Sequence, residues 1–209
     1  IFIMKKVLLS VSMMLLTMTG FAQANVSNVD QYGWLNGALV VQVGASNDSD
    51  VLQVGLANLA VVGQLGTSNE AFIGQLGVAN EGVIAQDGWS NDAAIVQVGA
   101  FNYSEINQKG NNNSATNWQF GFGNSSKIDQ DGDGNVAFDV QGFWGNTVGI
   151  TQLGTGNNGS SIQLGWDNTS DIMQNGLGNF AATIQVGYDH VSNINQWGAG
   201  NVAVVFQSN

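Results

Sequence analysis

Residues 58–68 read Asn-Leu-Ala-Val-Val-Gly-Gln-Leu-Gly-Thr-Ser, and Asn69 begins the same pattern again. Two positions after the asparagine comes a small residue, and four positions after it a β-branched apolar residue. A glutamine follows after six positions and a glycine after eight. This unit of 11 residues recurs without insertion or deletion as far as Gln207. A fixed short period of this kind predicts one structural unit stacked on itself many times.

Every glutamine after residue 24 lies on this 11-residue grid, and only Gln23 lies off it. Stacked carboxamides each donate to one neighbour and accept from the other, so we expect these side chains to form structural amide ladders. The grid positions are Gln31, Gln42, Gln53, Gln64, Gln75, Gln86, Gln97, Gln108, Gln119, Gln130, Gln141, Gln152, Gln163, Gln174, Gln185, Gln196 and Gln207.

A second ladder is expected six residues before the glutamines, where 16 of 17 positions are asparagine and the remaining one is His190. These are Asn25, Asn36, Asn47, Asn58, Asn69, Asn80, Asn91, Asn102, Asn113, Asn124, Asn135, Asn146, Asn157, Asn168, Asn179 and Asn201. Two residues after each glutamine, from residue 33 to residue 198, stands a glycine, with one exception at Phe143. We expect turn glycines with φ > 0 at these positions, among them Gly33, Gly44, Gly55, Gly66, Gly77, Gly88 and Gly99.

The fixed positions lie two residues apart, which is the spacing of side chains on one face of a β-strand. Each unit is therefore predicted to be a strand of about seven residues followed by a four-residue turn, with the fixed face inside. The fourth position is polar at Asn117, Asp139, Ser161 and Thr183, which lie 22 residues apart. A recurrence of 22 indicates two strands per rung. The fold predicted for residues 25–209 is all-β, a two-sheet β-solenoid of about eight 22-residue rungs.

The four polar residues that define this recurrence leave two interpretations open. In one, they face inward as a hydrogen-bonded polar seam, with Asp139 protonated or bonded to its neighbours. In the other, a local strand flip turns inward the apolar residues Phe138, Val140, Ile162 and Ile184 instead. An inward seam leaves those residues on the outside, where they form an apolar strip on the same sheet together with Trp118, Phe180, Val202, Val204 and Phe206. A second outer strip, Leu39, Val41, Leu59, Val61 and Val83, is expected on the other sheet, and such strips favour contacts with other fibres or a partner subunit.

The first 24 residues have the features of a signal peptide, with a start at Met4. Lys5 and Lys6 precede an apolar run from residue 7 to residue 18, and residues 22–24 read Ala-Gln-Ala, a typical cleavage site. Cleavage after Ala24 leaves two lysines against 15 acidic residues, a formal net charge of −13. Nucleic acid and anionic membrane surfaces are therefore not expected as partners.

The sequence resembles the curlin repeat of curli, the secreted bacterial amyloid fibres. Residues 58–69 fit the family's Asn-x-Ala-x3-Gln-x-Gly-x-x-Asn core, residues 91–99 fit its first nine positions, and the resemblance covers residues 25–209. It implies a curli-type secretion machinery, assembly with itself and other curlin subunits into a cell-surface pilus or fimbrium, and roles in cell adhesion and biofilm matrix. The family's major subunit alternates units that begin with serine and asparagine, whereas here nearly all begin with asparagine, as in the minor, nucleating curlin. Both fibre roles stay open.

Other candidate sites have weaker sequence support. Residues 129–135 read Asp-Gln-Asp-Gly-Asp-Gly-Asn, like the start of a calcium loop, but the twelfth position is Val140 instead of a bidentate glutamate. A solvated acidic turn is the favoured interpretation, and calcium bridging between fibrils is the alternative. His190 is interpreted as a structural substitute for asparagine. No catalytic, cofactor or metal residues are assigned. A soluble adhesin or binding module and a carbohydrate-active β-helix enzyme are the competing classes. Ends without caps are expected to invite addition of another chain.

Overall fold

The computed structural model describes residues 24–209 as a stack of 17 parallel β-strands. The first 16 strands have nine residues each and the last has seven. Their bounds are β1 Val26–Trp34, β2 Gly37–Ala45, β3 Asp48–Leu56, β4 Leu59–Thr67, β5 Glu70–Val78, β6 Glu81–Trp89, β7 Asp92–Ala100, β8 Tyr103–Asn111, β9 Ser114–Phe122, β10 Ser125–Asp133, β11 Val136–Trp144, β12 Thr147–Thr155, β13 Asn158–Trp166, β14 Thr169–Leu177, β15 Phe180–Tyr188, β16 Val191–Ala199 and β17 Val202–Ser208.

Consecutive strands alternate between two sheets. The odd-numbered strands form a nine-stranded sheet and the even-numbered strands an eight-stranded sheet. Every stacked pair is parallel and in register at a separation of 22 residues, as in Gln31 opposite Gln53 and Ile128 opposite Ile150. The prediction of two strands per rung and about eight rungs is confirmed. The polar fourth position that gave the period lies in β9, β11, β13 and β15 of one sheet.

The predicted strand length was wrong. Strand pairing runs on through the glycine column, where Gly33 lies opposite Gly55, and only two residues separate successive strands. The column glycines keep a positive φ of 105–144°, which bends the strand without ending its ladder. The tight reversal is made by the residue before each asparagine, such as Ala57, whose φ of 58° is left-handed helical. The predicted turn that starts at the glycine is therefore not what the structure has. The strand bends at the glycine, and the chain turns two residues later.

The predicted interior face is confirmed. Along β5, the buried residues are Ala71, Ile73 and Gln75, and the residues between them are half-buried or exposed. The core consists of a column of small residues and a column of isoleucine and valine, flanked by the amides. Ile73, Ile84, Ile95 and other core isoleucines are completely inaccessible, so each removes its full side-chain area from water, worth about 1.5–3 kcal/mol.

Residues 24–209 include no helix long and apolar enough to cross a membrane. The predicted signal peptide, residues 1–24 with its start at Met4, lies outside the described residues except for Ala24.

Candidate functional site

The glutamine side chains form one continuous ladder in each sheet. Each glutamine from Gln31 to Gln185 donates Nε2 to Oε1 of the glutamine 22 residues later, at 2.6–3.2 Å. In the middle of the chain, Gln97 accepts from Gln75 and donates to Gln119, both at 2.8 Å. These donors all point toward the C-terminal rungs, so the ladder has a direction.

The same glutamines also join the two sheets. The second hydrogen of Nε2 is donated to the backbone carbonyl of the residue 16 positions earlier. That residue is the first of the preceding strand, which lies in the facing sheet. Gln97 thus donates to the carbonyl of Glu81 at 2.9 Å, and Gln53 donates to that of Gly37 at 3.0 Å. This bond is made by every glutamine from Gln42 to Gln207. Each amide therefore fixes both the stacking of rungs and the closure of a rung.

The asparagine ladder runs in the opposite direction. Asn69 donates both its backbone N–H and its Nδ2 to Oδ1 of Asn47, each at 3.1 Å. Its Nδ2 also reaches the carbonyl of Gly88 at 3.1 Å. The asparagine side chain thus occupies the turn, where it bonds the previous rung and the glycine column of the next rung. Both interior amide columns are buried through the middle of the stack.

The glycine column must lack side chains for a steric reason in addition to its positive φ. A Cβ on Gly77 would overlap the backbone carbonyl of Gly99 in the next rung, and the same holds for the column glycines from Gly33 to Gly176. Phe143 is the exception, with a φ of 78° and a side chain that is 58% exposed. Its carbonyl still accepts from Asn124 at 3.1 Å, so the turn geometry is kept at the cost of an unfavourable backbone conformation.

The polar seam faces inward, which decides between the two interpretations left open by the sequence. Asn117, Asp139, Ser161 and Thr183 are all buried. The facing sheet contributes Ser126, Ser170 and Ser192 to this part of the core, with Val148 between the first two, and Ser192 Oγ lies 3.1 Å from Thr183 Oγ1. The seam is therefore part of a polar layer between β-sheets, and the strand flip is excluded.

Asp139 is the one buried acid of this layer. Asn117 Nδ2 donates to its Oδ2 at 2.6 Å. Burial raises the pKa of Asp139 to about 8, and the nearby Ser126 hydroxyl and the Asn117 amide lower it in part. Its Oδ1 and the Ser126 and Ser161 hydroxyls have no hydrogen-bond partner among the described residues. Each serine hydroxyl can both donate and accept, and a protonated Asp139 gains a donor of its own.

The acidic segment, residues 129–135, was expected to be a turn, and that was wrong. Asp129, Asp131 and Asp133 lie in β10, and the glutamine between the first two points inward. Asp131 pairs with Lys109 at 3.7 Å, while Asp133 accepts from Asn111 at 2.9 Å. The strand geometry gives these acids separate partners in the neighbouring strand. In residues 24–209, no cluster of three or more histidine and acidic side chains could hold a metal ion.

A charged cluster lies on the outer face of β8 and β10. Lys127 Nζ is 3.5 Å from both Glu105 and Asp129, and the pKa of Lys127 is raised by these two carboxylates. The pKa of Glu105 is lowered, mainly because the Tyr103 hydroxyl donates to it at 2.7 Å. The Asn107 amide bridges Glu105 and Asp129. The cluster is a cross-strand ion pair of modest strength and holds no catalytic arrangement.

His190 occupies the asparagine position just before β16 and makes only part of the contacts of the asparagine ladder. Its backbone N–H donates to Asn168 Oδ1 at 3.1 Å, as an asparagine's does, and its Nε2 lies 3.2 Å from the carbonyl of Val186. The ring therefore reproduces the contacts within its own rung.

Apolar residues line parts of both outer faces. On the nine-stranded sheet, Trp118 packs edge-on against Phe138 at 6.0 Å between ring centroids. On the eight-stranded sheet, Leu39 and Val41 begin a groove of about 950 Å³ that ends near Leu153. The strips predicted from the sequence lie outward, partly covered by their neighbours.

Sequence reasoning missed three features of this interior. It did not anticipate the bond from each glutamine to the facing sheet, the serines opposite the polar seam, or the left-handed residue before each asparagine. The last had a compositional signal, because glycine occupies this position at Gly123, Gly134 and Gly145.

Together, the continuous amide ladders and the stacked core define a structural β-solenoid. The sequence model of the curlin associated repeat matches four overlapping stretches, residues 46–77, 66–99, 88–116 and 102–132. The chain thus carries curlin associated repeats, and the four matches support a curlin-family protein. No curated protein matches the chain.

Proposed function

We propose that this chain is a secreted subunit of extracellular curli-type amyloid fibres, which assemble by end-to-end stacking of solenoid rungs. The curlin repeats suggest a curli-type structural fibre subunit. The observation that carries the proposal is the direction of the amide ladders. They extend from β1 to β17 and have unused hydrogen-bond donors or acceptors at both ends of the described stack. Export by a curli-type secretion machinery, cell adhesion and a place in biofilm matrix are the roles that go with such a fibre.

Physical chemistry supports polymerisation. Each added rung extends two strand ladders, two glutamine contacts and two asparagine contacts, and each hydrogen bond is worth about 1 kcal/mol net. The formal charge of −13 on residues 25–209 keeps separate chains apart in solution, and it is screened by salt. Assembly is therefore expected to quicken as ionic strength rises.

Purified residues 25–209 test the proposal. Incubation is expected to give fibres that bind amyloid dyes and diffract at about 4.7–4.8 Å along the fibre axis. A chain that stays monomeric and folded under these conditions overturns the fibre proposal and leaves a soluble adhesin or binding module.

The nearly uniform asparagine at the start of each unit favours a second role, that of a nucleator. A nucleating subunit is expected to shorten the lag of a separate curlin at substoichiometric ratio. A major subunit is expected to polymerise alone and seed mainly itself.

A further inference from the structure

The two ends of the described solenoid are incomplete in the same way. At one end lie β1 and β2, and at the other lie β16 and β17. Ala38 and Val40 of β2, and Ala203 and Val205 of β17, belong to the core columns but are only partly buried. Their counterparts in the middle strands are completely covered. Each end therefore exposes a cross-section of the core and an unpaired strand edge, which are the features that another strand covers.

We propose that the β16–β17 end binds the β1–β2 end of a second copy of this chain, with β1 stacked on β16 and β2 stacked on β17. This inference rests on the proposed fibre function and specifies its junction. Because β1 belongs to the nine-stranded sheet and β16 to the eight-stranded sheet, successive copies exchange sheets. Neighbouring copies are then related by a half-turn about the fibre axis in addition to the solenoid twist.

The residues of β1 and β16 match along their length. Val26, Ser27 and Asn28 would lie on Val191, Ser192 and Asn193, and the glutamine and glycine columns continue. Five of the nine stacked positions are identical, whereas none of the 15 strand pairs stacked within the chain has more than four. Of the remaining positions, Val29 meets Ile194, Asp30 meets Asn195 and Tyr32 meets Trp197. The two strands thus match more closely than neighbours that already stack.

The residues of β2 and β17 match on both faces. Inside, Ala38 would lie on Ala203, Val40 on Val205 and Gln42 on Gln207. Outside, Leu39 would lie on Val204 and Val41 on Phe206, and these two β17 residues are 62% and 66% exposed in the single chain. The outer apolar strip of the nine-stranded sheet would then continue into the groove that begins at Leu39 and Val41.

The simplest competing junction is a pure translation, with β1 on β17. That arrangement places Asn28 against Val204 and Asp30 against Phe206 on the outer face. It also leaves one strand missing between β16 and β2 of the next copy, because the nine-stranded sheet has one strand more than its partner. The backbone groups at that gap would be left without partners, which is costly. The half-turn junction fills every strand position.

The hydrogen-bonding groups at the two ends are complementary. At β16 and β17, each of Gln196 and Gln207 uses Nε2 for one bond, to Phe180 and Val191 respectively, whereas glutamines in the middle of the stack use it for two. At β1 and β2, Gln31 and Gln42 accept no ladder bond at Oε1 among residues 24–209.

The asparagine ladder ends in the reverse sense. In the half-turn junction Asn36 of the next copy stacks on Asn201, whose Oδ1 lacks the donor that its equivalents receive from the next rung. Asn25, whose Nδ2 has no partner among residues 24–209, stacks on His190. Donors at one end thus face acceptors at the other. Two identical ends brought together would place donor on donor or acceptor on acceptor, so the junction is polar and head-to-tail.

Disulfide trapping tests the junction, since the chain contains no cysteine. In the variant Asp30→Cys/Asn195→Cys, the two positions lie at opposite ends and on opposite sheets, so only two different copies can link them. Stacked parallel strands lie about 4.8 Å apart, within the Cα range of a disulfide. Oxidation of its fibres is expected to give a ladder of linked oligomers on a non-reducing denaturing gel. Asp30→Cys/Phe206→Cys is the matched variant for the translational junction.

The outcomes separate the junction from the fibre. An Asp30→Cys/Leu52→Cys variant checks the chemistry, because these positions are stacked within one chain and should form an intramolecular link. Two outcomes overturn the half-turn junction and leave the fibre proposal intact. In the first, the residue 206 variant gives linked oligomers. In the second, neither intermolecular pair gives them although the internal link forms. Absence of fibres from the unmodified chain overturns the proposed function itself.

Discussion

Asn117 Nδ2 donates a hydrogen bond of 2.6 Å to Asp139 Oδ2 in the adjacent strand of the same sheet, and both side chains are fully buried. A single amide donor does not replace the hydration of a carboxylate. The pKa of Asp139 accordingly rises to about 8. The polar seam is thus a place where the folding free energy depends on pH.

We expect the stability of the chain to fall as the pH rises from about 4 to about 8. In this window folded Asp139 keeps a proton that it loses in the unfolded chain, where its pKa is about 3.9. Folding therefore binds a proton, and the free energy of unfolding decreases by up to about 1.4 kcal/mol per pH unit. Asp139→Asn keeps the acceptor for Asn117 and should remove this slope. Denaturant midpoints across the pH range measure the effect.

The control for this prediction is Asp48→Asn, which changes an exposed acid in β3. It should leave the contribution of Asp139 in place. A slope in Asp139→Asn as steep as that of the unmodified chain would show that the carboxyl is ionised or hydrated in the folded state.

The glycine column gives a second prediction, which concerns sterics. Gly77→Ala should destabilise the chain by more than about 3 kcal/mol, because the new methyl meets the Gly99 carbonyl and the residue keeps a φ of 132°. Gly63→Ala is the matched control, since its Cβ meets nothing within 4 Å. It should be neutral or slightly stabilising because alanine restricts the unfolded chain. Equal losses in the two variants would contradict the steric account.

The sequence predicted the solenoid because its constraints are local and periodic. The 22-residue recurrence from Asn117 to Asp139 reports directly on which strands are neighbours, and the alternation around Gln97 reports on which face is inside. By contrast, the bond from Gln97 to Glu81 depends on the offset between the sheets, which no local pattern encodes. The contact between Thr183 and Ser192 likewise depends on the distance across the core. The repeat therefore predicts the contacts between stacked rungs, while the contacts across the core between the two sheets can be read only from the structure.

Phe143 provides a third prediction, because it is a phenylalanine in a glycine position. Phe143→Gly should stabilise the chain by about 1 kcal/mol, since a residue with a Cβ loses about this much at positive φ. Little packing is lost, because the ring is 58% exposed. Phe143→Ala is the control, as it removes the ring but keeps the Cβ. A gain in the alanine variant equal to that in the glycine variant would assign the effect to the ring.

The fourth prediction compares a glutamine in the middle of the ladder with one at its end. Gln97→Leu keeps the volume but removes an acceptor from Gln75 and donors from Gln119 and Glu81. Each buried group left unpaired costs about 1–3 kcal/mol, so the single chain should lose several kcal/mol. Gln207→Leu removes only one donated and one accepted bond at a half-buried edge and should cost the single chain less.

In the fibre the loss caused by Gln207→Leu becomes larger than in the single chain, because Gln207 becomes an interior ladder residue. Gln207→Leu should then raise the critical concentration for assembly by about tenfold for each 1.4 kcal/mol lost at the junction, although its denaturant midpoint moves little. Val78→Thr, on the outer face of β5, is the control, since it changes an exposed valine away from both ends and leaves the ladder intact. If Gln207→Leu assembles at the same concentration as the unmodified chain, the ladder does not continue across the junction, and the end-to-end stack is held by its core and backbone alone.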